Sequence, residues 1–334
     1  MALTDWQPLY GDYFKGTRAL VTGGAGFIGS HLAESLIDLG AEVVVLDDLS
    51  GGDIKNFSTY RDRAGDRLRF VEGSLIDETL VAELSVGCRY VFHQAAMGSV
   101  PRSVREPGLY HQVNATGTLN VLESARAAGV ERVVFAASSS CYGDTPTLPK
   151  VETMPVSPRS PYAANKVYGE SLMRAWATSY ADQLDTVSLR YFNIFGPRQN
   201  ANSAYAAVIA AFAKALLAGQ RPTIFGDGQQ SRDFTFVDNA VHANLLAARR
   251  EAPLCGESIN VACGQRVSVN QLARVMAELL GRPELTPEHQ PERAGDVKHS
   301  LADLGKAARL LGYGALVGFE PGLAPTIQWY QDQA

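Results

Sequence analysis

Six short apolar runs alternate with amphipathic stretches from Arg18 to Asn193, and this alternation is the feature that most restricts the fold. The runs are RALVTGG, AEVVVLDD, LRFVEGS, YVFHQAA, RVVFAASS and DTVSLRYFN, and helix-like segments such as SHLAESLIDLG and NKVYGESLMRAWATSYA separate them. Continuous apolar strands that alternate with helices are typical of a parallel sheet covered on both faces. The sequence therefore predicts an α/β fold with a doubly wound parallel sheet, in which ligands bind at the carboxyl ends of the strands.

The regular alternation ends after residue 193, where Pro and Gly become frequent in segments such as FGPRQ and GQRPTIFGDGQ. We predict a nucleotide-binding domain over residues 1–193, with residues 1–16 as a short polar N-terminal extension. A smaller α/β domain over residues 194–334 is predicted to bind the substrate, and the chain could cross back between the domains near residues 225–260. A chain of 334 residues with 46% hydrophobic content has the length of about two domains.

Composition argues against several classes of protein. The net charge is −5, with acidic and basic residues interspersed, so no basic surface for nucleic acid or anionic lipid is indicated. The four cysteines form no C-x-x-C pair and show no metal-ligand spacing with the histidines, so we predict no metal site. The first residues lack the pattern of a signal peptide, and Lys214 interrupts the most apolar segment. We therefore predict a cytoplasmic protein without membrane spans.

A glycine-rich turn joins the first predicted strand to the next helix in ALVTGGAGFIGSHLAESL. Its glycines fit two related frames, G-x-G-x-x-G with Gly24, Gly26 and Gly29, and G-x-x-G-x-x-G with Gly23, Gly26 and Gly29. Glycine permits the tight turn, lets the backbone approach a pyrophosphate, and allows helix and strand to pack closely. The helix N-terminus then offers N–H groups to phosphates. The pattern favours a dinucleotide site over a merely structural turn.

Asp47 ends the second predicted strand, roughly 20 residues after the turn, where a carboxylate accepts hydrogen bonds from the adenosine ribose. Asp47 and Asp48 would repel a 2′-phosphate, and no arginine follows them directly. The sequence therefore favours NAD over NADP.

Tyr162 and Lys166 lie one turn apart on a predicted helix that Ser160 caps and Pro161 begins. A tyrosine with an unperturbed pKa of ~10 is a poor base at neutral pH. A neighbouring ammonium group and a positive nicotinamide ring stabilise the phenolate and lower that pKa. The pair is therefore a candidate general base, although the same spacing also occurs on ordinary amphipathic helices.

Several of these motifs together resemble one family over nearly the whole chain. TGGAGFIGSH, the serine run ASSSCYGD, YAANK, LRYFNIFGPRQ and GDGQQSRDFTFVDN are similar to the extended short-chain dehydrogenase/reductases, and specifically to the nucleotide-sugar 4-epimerases. HQAAMGSVPRS, SSSCYGDTPTLPKVE, AYAAVI and RAGDVKHS resemble bacterial UDP-N-acetylglucosamine 4-epimerases and N-acetylglucosaminuronate 4-epimerases. The resemblance implies a Rossmann domain with tightly bound NAD and a UDP-sugar substrate.

The resemblance also implies catalytic roles. Phenolate Tyr162 takes the proton of the sugar 4-hydroxyl as hydride leaves C4, Ser138 bonds O4, and the 4-keto sugar turns over before hydride returns to its other face. Dehydratases of this fold carry Asp and Glu where this chain has Ser139 and Ser140, which favours an isomerase over a lyase. No histidine base accompanies the serines by motif, so we interpret them as hydrogen-bonding groups and Cys141 as a buried residue.

Two sets of binding residues follow from the resemblance. The implied cofactor-binding residues are Gly23, Gly26, Phe27, Ile28, Gly29, Asp47, Gln94, Ala95 and Lys166. The implied substrate-binding residues are Ser99, Ser138, Ser139, Tyr162, Asn193, Ala207, Val208, Arg232, Arg293 and Ser300. Among these, the arginines match pyrophosphate clamps, and the small Ser300 admits an N-acetyl group. Three residues depart from the family pattern at positions near the nucleotide: Ser74, Thr223 and Phe225.

Three hypotheses for the function remain at this point. The first is C4 epimerisation of UDP-GlcNAc and UDP-GalNAc. The second is the same reaction on UDP-glucose or a UDP-uronate or, more remotely, a dehydratase or decarboxylase reaction. The third is a catalytically silent NAD-binding module. The resemblance further implies a homodimer through a four-helix bundle formed by helices near residues 108–128 and 161–180.

Overall fold

A seven-stranded parallel sheet forms the centre of the protein, for which a computed structural model describes residues 4–200, 208–292 and 298–333. In spatial order from one edge, the strands are Leu68–Glu72, Glu42–Asp47, Arg18–Thr22, Tyr90–His93, Arg132–Ser138, Asp185–Tyr191 and Glu257–Val261. All six strands predicted from the apolar runs are present, and the doubly wound α/β fold is confirmed.

The strand order reverses beside the first strand. Val21 of strand Arg18–Thr22 pairs with Val45 on one side and with Phe92 on the other. From Arg18–Thr22, the next two strands of the chain are added on the first side, and the strands from Tyr90–His93 onward are added on the second. A reversal of this kind opens a crevice at the carboxyl ends of the two central strands. The glycine turn follows one of these strands and Gln94 follows the other.

Helices cover both faces of the sheet. Leu20, Val91 and Phe135 belong to a buried cluster on one face, and Val21 and Val134 belong to a cluster on the other. Alternate residues of each strand therefore enter different cores, as in a sheet buried on both sides. The helices are Gln7–Tyr10, Phe27–Asp38, Arg61–Ala64, Glu78–Ser85, Val100–Arg105, Pro107–His111, Gly117–Ala127, Pro161–Ser179, Val208–Leu217, Val237–Arg249, Val269–Leu279, Gly305–Leu311 and Phe319–Asp332. Short 3₁₀ helices are Ile54–Phe57, Gly65–Arg67 and Ser139–Tyr142, and Gln112–Thr116 is a π-helix.

Helix Val237–Arg249 and strand Glu257–Val261 bring the chain back to the main sheet. Helix Val237–Arg249 packs its buried residues into the core beside the first strands, and Glu257–Val261 becomes the seventh strand by pairing with Asp185–Tyr191. Both elements lie in the second of the two predicted units. The roles assigned to the two units as nucleotide-binding and substrate-binding domains stay predictions.

A second core lies outside the main sheet. Helices Val208–Leu217, Val269–Leu279 and Phe319–Asp332 contribute to it, and Phe195, Phe234 and Phe319 form a set of ring contacts within it. Three two-stranded sheets accompany these helices: Ile194–Phe195 with Thr235–Phe236, Ser231–Arg232 with Val267–Ser268, and Thr223–Phe225 with Glu288–Gln290.

The prediction that residues 1–16 form a polar extension is wrong for the part of this segment that the structure describes. Trp6, Tyr10 and Phe14 are buried, and the Tyr10 hydroxyl lies 2.7 Å from Nδ1 of His242. Their spacing of four residues places three aromatic rings on one side of the segment, and this side packs onto helix Val237–Arg249.

Across the described ranges, the helices are too short or too polar to traverse a lipid bilayer. The same ranges contain no cluster of three or more His, Cys, Asp and Glu side chains with the arrangement of a metal site.

Candidate active site

A cavity of about 400 Å³ lies at the carboxyl ends of the central strands. All nine residues predicted to bind the cofactor line it, and Tyr162 does as well. Further lining residues that the sequence analysis did not assign are Leu46, Asp48, Ser50, Gly51, Gly52, Gly73, Ser74, Leu75, Ala96, Met97, Gly98, Val113, Ala136, Ala137 and Tyr191. The predicted nucleotide-binding residues therefore share one site with two of the predicted catalytic residues, Tyr162 and Lys166.

The glycine turn closes tightly against its neighbours. Gly23 has φ +69°, and a Cβ atom there would lie 2.6 Å from Cα of Ala95. A Cβ atom on Gly29 would lie 2.1 Å from the carbonyl oxygen of Gly23. Both positions therefore require glycine, the first for its backbone conformation and the second for the close contact between helix and turn.

Asp47 ends its strand beside this turn. Its carboxylate accepts hydrogen bonds from the backbone N–H groups of Ala25 (3.0 Å) and Leu49 (2.9 Å). Burial raises the pKa of Asp47, and the backbone hydrogen bonds oppose that shift. Asp47 thus joins the glycine turn to the edge of the cavity where a ribose would bind.

Substitution of Gly29 by alanine should abolish retention of the cofactor. The new methyl group would overlap the Gly23 carbonyl, so the turn and the first turn of helix Phe27–Asp38 must move apart. We expect purified Gly29→Ala protein to contain little or no bound NAD by absorbance after denaturation. Gly314→Ala is the control, because a Cβ atom there meets nothing within 4 Å. Bound NAD at the wild-type level in Gly29→Ala would contradict this account of the turn.

The candidate catalytic residues come from one helix and one strand. Ser160 accepts a hydrogen bond from the N–H of Ala163 (3.1 Å), so the predicted cap of helix Pro161–Ser179 is present. Tyr162 lies in the first turn of that helix, and the hydroxyl of Ser138, at the end of strand Arg132–Ser138, is hydrogen-bonded to it. Nζ of Lys166 donates to the carbonyl of Ala136 (2.6 Å).

Burial dominates the electrostatics of this group. It raises the pKa of Tyr162, whereas the hydrogen bond with Ser138 lowers it. It also lowers the pKa of Lys166 to about 7, against the opposing effect of Glu170. Lys166 is only 4% exposed. In the chain alone, Tyr162 is therefore a protonated phenol at neutral pH, and its activation requires additional positive charge in the cavity.

A buried ion pair supports Lys166 from the next turn of the helix. Glu170 accepts two hydrogen bonds from Arg190, at 2.9 Å and 2.7 Å, and one from Ser258 at 3.2 Å. Arg190 also donates to the hydroxyl of Tyr142 (2.9 Å). The pair was not predicted from the sequence, although Glu170 lies one turn after Lys166 and Arg190 lies within a buried strand.

A closed ring of hydrogen bonds forms part of the cavity wall. The Tyr191 hydroxyl donates to Gln94 (3.0 Å), Gln94 donates to Asn244 (3.0 Å), and Asn244 donates to Tyr191 (2.6 Å). Burial raises the pKa of Tyr191 to about 12, so its phenol stays neutral. Only Gln94 was predicted from the sequence, because nothing in the spacing of the three residues relates them.

The remaining predicted substrate residues lie at several points of the fold. Ser99 caps helix Val100–Arg105, and Asn193 has φ +36° after the strand Asp185–Tyr191. Ser139 begins the short turn after Ser138. Val208 begins a helix. Arg232 and Ser300 lie on neighbouring segments, because the N–H of Ser300 donates to the carbonyl of Ser231 (3.0 Å). Ala207 and Arg293 lie outside the described residues.

The residues that depart from the family pattern lie in two places. Ser74 lines the cavity, whereas Thr223 and Phe225 belong to a two-stranded sheet with Glu288–Gln290. The burial expected for Cys141 is confirmed. His93 and Cys141 are both buried. The ring nitrogens of His93 lie 2.8 Å from the Thr22 hydroxyl and 3.0 Å from the Thr118 hydroxyl. Burial lowers the pKa of His93 to about 3 and raises that of Cys141 to about 12.

Comparison with known proteins identifies the family. The model of the NAD dependent epimerase/dehydratase family matches residues 19–262. The chain belongs to this family. The predicted resemblance and the predicted cofactor, NAD, are thereby confirmed.

Three relatives illustrate the similarity of this epimerase/dehydratase family member to known proteins. The UDP-glucose 4-epimerase of Mycolicibacterium smegmatis is 39% identical over 95% of this chain and 99% of its own length. The UDP-N-acetylglucosamine 4-epimerase of Methanobrevibacter ruminantium, solved with UDP-N-acetylmuramic acid, is 38% identical with a TM-score of 0.89 over 96% and 100% of the two chains. The UDP-glucose 4-epimerase of Thermus thermophilus, solved with NAD, is 36% identical with a TM-score of 0.83 over 95% and 100%.

The cavity of this family member fits NAD. A turn without side chains at Gly23 and Gly29 leaves backbone N–H groups open to a pyrophosphate, and Asp47 offers a carboxylate to a ribose. Tyr162 and Lys166 line the same cavity. These residues would hold the dinucleotide between the glycine turn and the candidate catalytic group.

Proposed function

We propose that the protein interconverts the C4 epimers of a UDP-sugar with bound NAD, and that its preferred pair is UDP-GlcNAc and UDP-GalNAc. One observation carries the proposal: Tyr162 and Lys166 line the cavity that also holds the glycine turn and Asp47, and Ser138 lies beside Tyr162. A proton-transfer group is thus placed beside a dinucleotide site, as a reaction that oxidises and then reduces an alcohol requires.

The chemistry assigned to the chain's own residues is acid–base catalysis. Tyr162 accepts the proton of the sugar 4-hydroxyl as the hydride leaves C4, and returns a proton to the same oxygen when the hydride comes back. Ser138, hydrogen-bonded to Tyr162, holds the 4-oxygen in line. The ammonium group of Lys166 stabilises the phenolate. Bound NAD supplies the hydride acceptor and donor, and its positive ring adds the charge that lowers the pKa of Tyr162.

The serines after Ser138 support epimerisation over elimination. Ser139 and Ser140 begin the turn Ser139–Tyr142 directly after the catalytic strand. A dehydratase needs an acid to protonate the leaving hydroxyl and a base to remove the C5 proton, and a serine hydroxyl is too weakly acidic and basic for either task at neutral pH. The product should therefore keep the mass of the substrate.

The preference for an acetamido sugar rests on Ser300 and on the solved UDP-N-acetylglucosamine 4-epimerase relative. The relative at 39% identity, a UDP-glucose 4-epimerase, favours the UDP-glucose and UDP-galactose pair as the second candidate.

Purified protein should be incubated separately with UDP-GlcNAc, UDP-glucose and their uronates, and the products analysed by NMR and mass spectrometry. We expect the highest kcat/KM for UDP-GlcNAc. Conversion of none of these sugars, or loss of water or carbon dioxide, would refute the proposal.

We also propose a homodimer through the helices near residues 108–128 and 161–180. Leu109 and Tyr168 are exposed residues with large apolar side chains, and they lie on neighbouring helices. The two helices are close together, because the ring centroids of His111 and Tyr168 are 6.3 Å apart. Exposed apolar residues clustered on one face are typical of an interface. Sedimentation should give twice the mass of one chain for the wild type and a shift toward monomer for Leu109→Arg. The control is Leu316→Arg, at an exposed leucine elsewhere in the fold, and a monomeric wild type would contradict the proposal.

A further inference from the structure

Asp233 is a fully buried carboxylate next to the predicted clamp residue Arg232. It is 0% exposed, and it accepts hydrogen bonds from the backbone N–H groups of Cys263 (3.1 Å), Gly264 (3.2 Å) and Ala302 (3.1 Å). The first two donors lie in the turn after strand Glu257–Val261, and the third lies about forty residues later. One carboxylate thus joins two segments that are distant in the sequence.

These two segments also border the strand that carries Arg232. Ser231–Arg232 pairs with Val267–Ser268, the strand that follows the turn at 263–265. On its other side, the N–H of Ser231 donates to the carbonyl of Lys298 (3.0 Å), and a guanidinium nitrogen of Arg232 donates to the same carbonyl (3.2 Å). The same guanidinium nitrogen also donates to the carbonyl of Ser231 (3.1 Å), so the position of the Arg232 side chain depends on both its own strand and the segment 298–302.

The charge of Asp233 is balanced by backbone dipoles. Burial raises the pKa of Asp233 to about 6, and the backbone N–H groups oppose that shift. The titratable groups that face it, the Cys263 thiol and the Tyr313 phenol, have pKa values raised by burial and are neutral at pH 7. A buried carboxylate held in this way reduces the stability of the fold compared with an apolar residue. Its hydrogen bonds nevertheless join two distant segments, and this is a positional task.

We propose that Asp233 is a positioning residue for the nucleotide end of the substrate site. It holds the strand of Arg232 and the segment of Ser300 in the single arrangement that lets the guanidinium meet a diphosphate. The inference rests on the proposed function in one respect, that a UDP-sugar binds against Arg232. A guanidinium recognises a diphosphate through several directional hydrogen bonds, so a small displacement of either segment weakens binding.

The test measures binding of UDP to the NAD-loaded protein by calorimetry. Asp233→Asn keeps the shape of the side chain but directs an NH₂ group at backbone donors, and we expect the Kd of UDP to rise on the order of tenfold to a hundredfold. Bound NAD per chain should not change, and KM for the sugar nucleotide should rise with kcat within about twofold. The control is Asp227→Asn, at an exposed aspartate in the preceding turn whose carboxylate accepts from the N–H of Gln229 (2.9 Å) in its own loop.

Two results would overturn the inference: UDP binding by Asp233→Asn equal to that of the wild type, or no binding of UDP by the wild type. If Asp233→Asn does not fold, hydrogen exchange on the wild type replaces it. Segments 231–233, 263–265 and 298–302 should then gain protection together when UDP binds, and protection in only one of them counts against the inference. A protein that binds UDP as expected but epimerises no sugar would refute the proposed function and leave the role of Asp233 intact.

Discussion

Replacement of Tyr162 by phenylalanine should lower kcat by a factor of about 10² to 10⁴, the range typical for removal of a general base. The ring keeps its position in the first turn of helix Pro161–Ser179, so the cavity keeps its shape, but no group remains to accept the proton of the sugar hydroxyl. The Ser138 hydroxyl would lose its hydrogen bond with Tyr162 and keep the one that it accepts from the N–H of Ser140 (3.2 Å). The measurement is the initial rate of epimerisation at saturating substrate.

The specificity of that result depends on two controls. Tyr162→Phe protein should retain bound NAD, because the glycine turn and Asp47 lie at another part of the cavity. Tyr180→Phe, at the C-terminal end of the same helix, should have the wild-type rate. If Tyr162→Phe kept more than about a tenth of the wild-type kcat, Tyr162 would not be the base.

Replacement of Glu170 by alanine should lower the free energy of unfolding by about 3–5 kcal/mol, the usual effect of removing one partner of a buried ion pair. The side chains of Arg190 and Glu170 are only 5% and 7% exposed, and the two groups form paired hydrogen bonds. Without Glu170 the guanidinium of Arg190 stays buried with the Tyr142 hydroxyl as its remaining side-chain partner among the described residues.

Chemical denaturation measures this effect, with Glu131→Ala as the matched control. Glu131 forms an ion pair with Arg89 at 2.6 Å, but the two side chains are 46% and 45% exposed, so its loss should change stability by less than about 1 kcal/mol. A second consequence concerns Lys166, because Glu170 raises its pKa. The Glu170→Ala enzyme should therefore need a lower pH to keep Lys166 charged. Equal destabilisation by both substitutions would contradict the assignment of a buried, structurally essential pair.

Local patterns in the sequence were sufficient to predict six of the seven strands of the main sheet and a set of cofactor residues that line one cavity. The six apolar runs became strands because each was long enough to fill both faces of a covered sheet, and the predicted cofactor residues cluster because parallel strands end at one edge. Tyr162 and Lys166 lie one helical turn apart, so their proximity follows from the helix alone.

Contacts between distant segments could not be predicted in the same way. The ring of hydrogen bonds joins Tyr191 of a strand, Gln94 directly after another strand and Asn244 of a helix, and no spacing in the chain relates them. The burial of the N-terminal segment was not predicted because its buried aromatic residues are spaced four apart and mostly exposed residues separate them. The hydrogen bonds of Asp233 likewise depend on how residues 263–265 and 302 fold back onto it.

Retention of a label at C4 tests the central claim most directly. UDP-GlcNAc carrying deuterium at C4 should be incubated with the purified protein in ordinary water, without added NAD, and the epimer analysed by NMR and mass spectrometry. If the hydride leaves C4 and returns to the other face of the same carbon, the UDP-GalNAc formed keeps its deuterium, and its mass equals that of the substrate. An epimer that has exchanged C4 deuterium for solvent hydrogen would contradict the account, as would a product lighter by one molecule of water.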